Sequence, residues 1–287
     1  MSVSSIMAGY TFVKLTMDDA ELKRGLESAQ KKIRSFTDSL NAWSTRMASA
    51  APVLGTAFVG VVRSFAEFDD QMRMVRAFAG ATGRELEKLT ELAKRLGRET
   101  SFTAAQVASG MGELGKSGFS PDEIQSSIRP MMDLARATGT DLAQASTIAA
   151  NAMRQFRMEA GDAASVADLL VTTANASAVD LADIGESLKM AGTAAASVGE
   201  DFRDVVAAIG VLGNMGLKGT MAGTGLRSAY LRIGDDKVWD KIEGKYSIRV
   251  ETRDAEGNLR KLADIMADLA KEMNQLPTAD RVFPPHE

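Results

Sequence analysis

Apolar residues recur along this chain at steps of three and four, a rhythm that predicts helices almost throughout. The strictest run is Leu22, Leu26, Ala29, Ile33, Phe36, Leu40, Trp43 and Met47, whose gaps alternate between four and three over more than three heptads. Lys23, Arg24, Lys31, Lys32 and Arg34 lie beside it. A seam this regular predicts a coiled coil that joins copies of the chain or binds a partner, the plainer alternative being a helix folded onto its own domain. Before it, residues 10–16 alternate in the manner of a short strand, and Asp18 or Asp19 offers a helix cap. After it, residues 48–62 are apolar but hold Pro52, which predicts a hinge followed by a buried helix. A second periodic run, Phe58, Val62, Phe65, Phe68, Met72, Val75 and Phe78, ends at Gly80 and Gly83. Residues 84–96 then form an amphipathic helix that Gly97 is expected to stop.

Between Thr103 and about Gly216 one helix-pair pattern is written three times. The units start at Thr103, Asp141 and Asp180, 38 and 39 residues apart. Each start is a helix-entry signal, with Gln106, Gln144 and Asp183 following three residues later. First-helix apolar columns align as Ala104, Val107, Met111, Leu114; Leu142, Ala145, Ala149, Ala152; and Leu181, Ile184, Leu188, Ala191. Second-helix columns are Ile124, Ile128, Met131; Ala163, Ala167, Leu170; and Phe202, Val206, Ile209. Acid residues open those second helices (Asp122 and Glu123, Asp162, Glu200 and Asp201), which suits the positive helix end. A single amphipathic pair cannot bury its own stripe, so stacked units make the core.

Past the third unit, glycines at 210, 213, 216, 219, 223 and 225 predict a helix end, a tight loop, and a new helix from about Thr220 to Ile233. Residues 245–251 and 258–262, joined through Asp254-Ala255-Glu256-Gly257, read as a β-hairpin. A last helix runs from Leu259 or Leu262 to Met273. The expected fold class is therefore mainly all-α: a heptad helix, stacked helix-pair repeats, and a small β-hairpin near the C-terminus. The expected divisions are 1–50 for the strand and coiled coil, 51–100 for the apolar linker and helices, 101–233 for the repeat core, and 234–287 for the remainder.

Composition narrows the chemistry. With 45% apolar residues the chain has ample core, and with 6% aromatics but 16 methionines it suits close helix packing more than a β-sandwich. There is no cysteine, which removes disulfides and thiolate metal sites. The one histidine, His286, leaves little room for histidine catalysis or ligation. A net charge of −4 gives no general attraction to nucleic acid, and none is expected as a specific partner. No run reaches the roughly 18–20 apolar residues of a membrane span, so no stable insertion is expected.

One motif invites a catalytic reading. Residues 110–117, Gly-Met-Gly-Glu-Leu-Gly-Lys-Ser, match the phosphate-loop pattern at every fixed position. That chemistry needs a strand before the loop and a helix after it, with Lys116 on the phosphates and Ser117 on magnesium. Here a capped helix precedes and Gly118 and Pro121 follow, so the motif is expected to close a helix. The glycines at 213–225 lack a preceding strand too, and are expected to serve close packing or a chain reversal. No catalytic, metal or cofactor residues are expected, and the chain does not read as an enzyme.

The segment Gly216, Gly219, Ala222, Gly223, Thr224, Leu226, Arg227 resembles the end of the core region of bacteriophage tail tape measure proteins. The lead-in of residues 15–36, the run from Phe65 to Gly80, and residues 254–269 are similar to other parts of that family in the family's order. The resemblance implies a structural protein of phage or prophage tails, made in the bacterial host cytoplasm and ending in the lumen of the virion tail. There it would take part in tail assembly and set tail length. Its implied partners are itself, through the seam, and the tail tube, tail assembly chaperone and tail-tip proteins. Family members usually continue for hundreds of residues beyond such a core, so the last residues, Val282-Phe283-Pro284-Pro285-His286-Glu287, suggest a truncated copy. A bacterial helical-repeat adaptor or scaffold unrelated to tails is the rival expectation.

Overall fold

A computed structural model describes residues 51–277, with side chains from Ser64 to Pro277. Residues from Ser64 onward belong to the second of two compact units, the first ending at Arg63. The predicted strand at 10–16 and the seam from Leu22 to Met47 lie outside the described residues.

Eleven α-helices make up the described chain: α1 (Ala51–Ala79), α2 (Gly83–Glu99), α3 (Ala104–Lys116), α4 (Pro121–Thr138), α5 (Leu142–Gln155), α6 (Ala163–Ala176), α7 (Leu181–Ser197), α8 (Phe202–Asn214), α9 (Gly219–Ile233), α10 (Asp236–Tyr246) and α11 (Leu262–Gln275). They stack in two rows. The first helices α3, α5, α7 and α9 each pack on the next, and the second helices α4, α6 and α8 form the other row. Both sets of columns read from the sequence meet between the rows: Val107, Met111, Leu114, Ala145, Ile184, Ile124, Ile128, Leu170 and Ile209 are wholly buried.

Entry and exit of the first helices of the repeat are chemically specified. Thr103 Oγ1 accepts from Gln106 N–H (3.2 Å) while Thr103 N–H donates to Gln106 Oε1 (2.8 Å). Asp180 Oδ1 accepts from Asp183 N–H at 2.7 Å, and Asp141 Oδ1 accepts from Ala143 and Gln144 N–H at 2.9 and 3.3 Å. First helices end in one recurrent closure, in which the residue after a left-handed position donates five residues back. Phe119 donates to the Leu114 carbonyl, Met158 to Met153, and Glu200 to Ala195, after Gly118, Arg157 and Gly199 with φ of 83°, 56° and 81°.

Units are also tied laterally. Arg154 on α5 donates to the Ser117 and Gly118 carbonyls at 3.0 and 2.6 Å and lies 4.5 Å over the Phe119 ring, joining the second unit to the loop of the first.

Two expectations are corrected. Gly97 does not stop its helix, which continues to Glu99. A Cβ there would come within 2.6 Å of the Ala104 nitrogen, so this glycine serves the close approach of α2 to the start of α3. The β-hairpin near the C-terminus is absent. Residues up to Tyr246 are spent in α10, and a single antiparallel bridge, Arg253 to Leu259, stands where a ladder was expected. Asp254 explains why the turn forms without strands: its Oδ1 accepts from Glu256 and Asn258 N–H, closing a local turn that needs no pairing beyond it.

Candidate functional site

The glycine-rich exit of the repeat is built on the α7–α9 contact. Gly216, at φ 86°, ends α8, and Leu217 N–H reaches back to the Leu212 carbonyl at 2.9 Å. Gly219, at φ 53°, opens α9. Its carbonyl accepts from the buried Ser187 Oγ at 2.8 Å, a hydrogen bond across the two helices. One turn on, a Cβ at Gly223 would stand 2.6 Å from the Ser187 carbonyl oxygen and 2.8 Å from Met190 Cβ. Only a hydrogen fits there. Ala222 and Leu226 are buried on the same side, whereas Thr224 and Arg227 face solvent. Five of the seven residues singled out from sequence therefore either set the loop or let α9 lie close on α7, and the other two are free to meet a partner.

Beside this contact lies a groove of about 550 Å³, walled by Ala207, Ala208, Val211 and Leu212 of α8, Leu217 of the loop, Met221, Gly225 and Ala229 of α9, and Leu262, Ala263 and Met266 of α11. It is apolar and open: Val211 is 60% exposed, Met221 63%, Met266 41% and Leu217 38%. Those four are half of the eight large hydrophobic side chains that the described residues leave exposed, a concentration that marks a contact surface.

One end of the groove is acidic. Glu200, only 7% exposed, accepts from the Leu262 N–H at 2.6 Å and so caps α11 from another part of the chain. Burial pushes its carboxyl above the ordinary carboxylate value, partly offset by that hydrogen bond and by Lys261. Burial likewise pushes up the Tyr230 phenol, with the Glu200 charge adding to it. Lys261 Nζ sits 2.8 Å from Asp201 and 3.4 Å from Asp204. Glu200 looks in the sequence like another acid at the start of a second helix. Its side chain instead holds α11, a role that no local pattern announces. The groove residues carried no sequence signal either, since apolar positions do not say which of them a neighbour covers.

The phosphate-loop match is a piece of helix. Residues 110–116 lie within α3 and Ser117 ends it. A Cβ at Gly110 would meet Leu142 Cγ at 2.9 Å, and one at Gly115 would meet the Ala79 nitrogen at 3.1 Å, so both glycines admit neighbouring helices. Lys116 pairs with Glu113 at 2.6 Å and lies over the Phe78 ring. Its backbone amides are taken up by the helix and cannot form an anion nest. Among the described residues no group of three or more His, Cys, Asp and Glu is placed to hold a metal ion, and no helix is long and apolar enough to cross a membrane.

Residues 90–282 match the family model described as phage-related minor tail protein. The chain is 32% identical over 273 residues to the tape measure protein of Pneumococcus phage Dp-1, covering 91% of this chain and 24% of that protein. It is 25% identical over 257 residues to the probable tape measure protein of Escherichia phage P2, covering 88% of this chain and 31% of that one. The chain thus spans about a quarter to a third of the length of these curated relatives. No solved structure matches.

Proposed function

Because the chain belongs to the phage-related minor tail protein family, we propose that it acts in tail assembly as the N-terminal and core part of a tape measure protein. The observation that carries this reading is the likeness to a tape measure protein over 91% of the chain, a stretch that takes in the helices stacked from α3 to α9. In this reading the chain works through protein–protein contacts and takes part in setting tail length. The seam from Leu22 to Met47 bundles copies, and the helical core meets tail tube, tail-tip and assembly-chaperone proteins. Assembly takes place in the host cytoplasm and leaves the chain in the tail lumen. No catalytic group is needed: the open faces of the rows are what the function uses.

An amber codon in the gene of the phage or prophage that encodes the chain tests this directly. In a non-suppressing host, electron microscopy of the lysate should show heads without normal tails, and a suppressor host should restore them. Normal tails in the non-suppressing host would refute the reading.

A further inference from the structure

Two independent features of the repeat's exit point to what its groove takes. The first is register. Lys218, which precedes α9, lies 38 residues after Asp180, so α9 holds the first-helix place of a fourth unit. It packs on α7 as α7 packs on α5. The matching second-helix place, next to α8, is the groove. Thr173 of α6 meets Gly210 of α8, where a Cβ would lie 3.0 Å from Thr173 Cγ2. Leu212, 39 residues beyond Thr173, holds the same place on α8 and lines the groove instead. α11 borders this place through Leu262, Ala263 and Met266, and Ala207 and Val211 of α8 stay exposed in it.

The second feature is charge. Glu200 and Asp204 line one end of the groove and Asp201 stands beside them. Lys261 is the cation that answers this group, through Asp201 and Asp204.

We propose that the groove binds an amphipathic α-helix from another protein chain, with its apolar stripe on Val211, Leu212, Met221 and Met266 and a Lys or Arg at the Glu200–Asp204 end. Helix-in-groove recognition needs an elongated apolar trough, and the walls of this one run over residues 204–212 of α8 and 221–230 of α9. The methionines suit such a role because their flexible thioethers adjust to differing side chains. The inference rests on the chain being a contact protein, and the amber experiment above stays separate from it. Normal tails would refute the tape measure reading without touching peptide binding.

The full chain titrated with labelled 18-residue peptides tests it by fluorescence anisotropy. One peptide carries a Leu/Ala stripe with Lys at one end, a second has Glu in place of Lys, and a third scrambles the stripe. The Lys peptide should bind, the Glu peptide at least tenfold more weakly, and the scrambled peptide not at all. Val211→Asp and Met221→Asp, both at exposed positions, should weaken the Lys peptide at least tenfold while leaving the thermal melt unchanged. Asp204→Asn should bring the Lys and Glu peptides closer together. Equal binding of striped and scrambled peptides would overturn the proposal. So would binding that the groove variants leave intact, or groove variants that change only the sedimenting mass, which would make the surface a contact between copies.

Discussion

At the scale of single residues, two glycines two positions apart in α9 separate packing from permissiveness. Gly223 faces the backbone of α7, where a Cβ would meet the Ser187 carbonyl at 2.6 Å, whereas nothing lies within 4 Å of a Cβ at Gly225. Gly223→Ala should cost about 1–3 kcal/mol through overpacking, because a carbonyl cannot rotate away as a side-chain tip can. Gly225→Ala should be neutral or stabilise by up to about 1 kcal/mol, since glycine is a poor residue in a helix interior. Urea melts of the two variants check this, and equal effects would refute the close-contact account. The sequence showed both as members of one glycine cluster. Nothing in it distinguished them, because the distinction belongs to the neighbour across the contact.

At the scale of elements, helix ends are held by carboxylates with opposite pH behaviour. Glu123 closes the N-terminus of α4, and the Ser120 N–H and hydroxyl hold its carboxyl below the ordinary value. Its contribution is present above the unfolded carboxylate value, about 4.5, and is lost as pH falls through the lowered one. Glu200 is the reverse case. Burial raises its folded value, so the folded chain holds the proton more tightly than the unfolded chain. Stability from this group is therefore present in acid and lost as pH rises from the ordinary value through the raised one. Glu200→Gln should accordingly gain stability relative to the unaltered chain when the pH is raised from below the ordinary carboxylate value, about 4.5, to neutral. Urea melts at the two pH values measure it, and a pH-independent difference between the proteins would show that the buried carboxyl does not titrate as described. The capping pairs at Thr103 and Asp180 were legible because partner and cap lie three residues apart. The capping of α11 by Glu200 was not, because 62 residues separate the two.

At the scale of the whole molecule, the proposed function divides the work between the repeat and the seam. Each unit leans on its neighbours, as the row packing and the Arg154 link show. Joining copies is assigned to the seam instead. Changing Leu26 and Ile33 together to Asp should lower the sedimenting mass of the full chain at micromolar concentration while leaving the helical core's thermal melt in place. An unchanged mass would remove the seam from the account of assembly. The opposite pattern, with the melt lost, would make residues 22–47 part of the fold.

What the sequence determined by itself is whatever repeats or acts locally. The helical period, the 38- and 39-residue steps, the capping signals and the buried columns are all encoded within a few turns, and they follow from backbone geometry alone. The helical context of residues 110–117 was legible for the same reason. Tertiary structure decided the rest. It made Gly97 a contact instead of a stop, replaced the expected hairpin with a turn closed by Asp254, and turned Glu200 from a helix start into the cap of α11. Above all it set the glycine-rich segment against α7 and left an open apolar groove beside it. Exposure is a property of the neighbour that is or is not there, and no pattern along the chain records a missing neighbour.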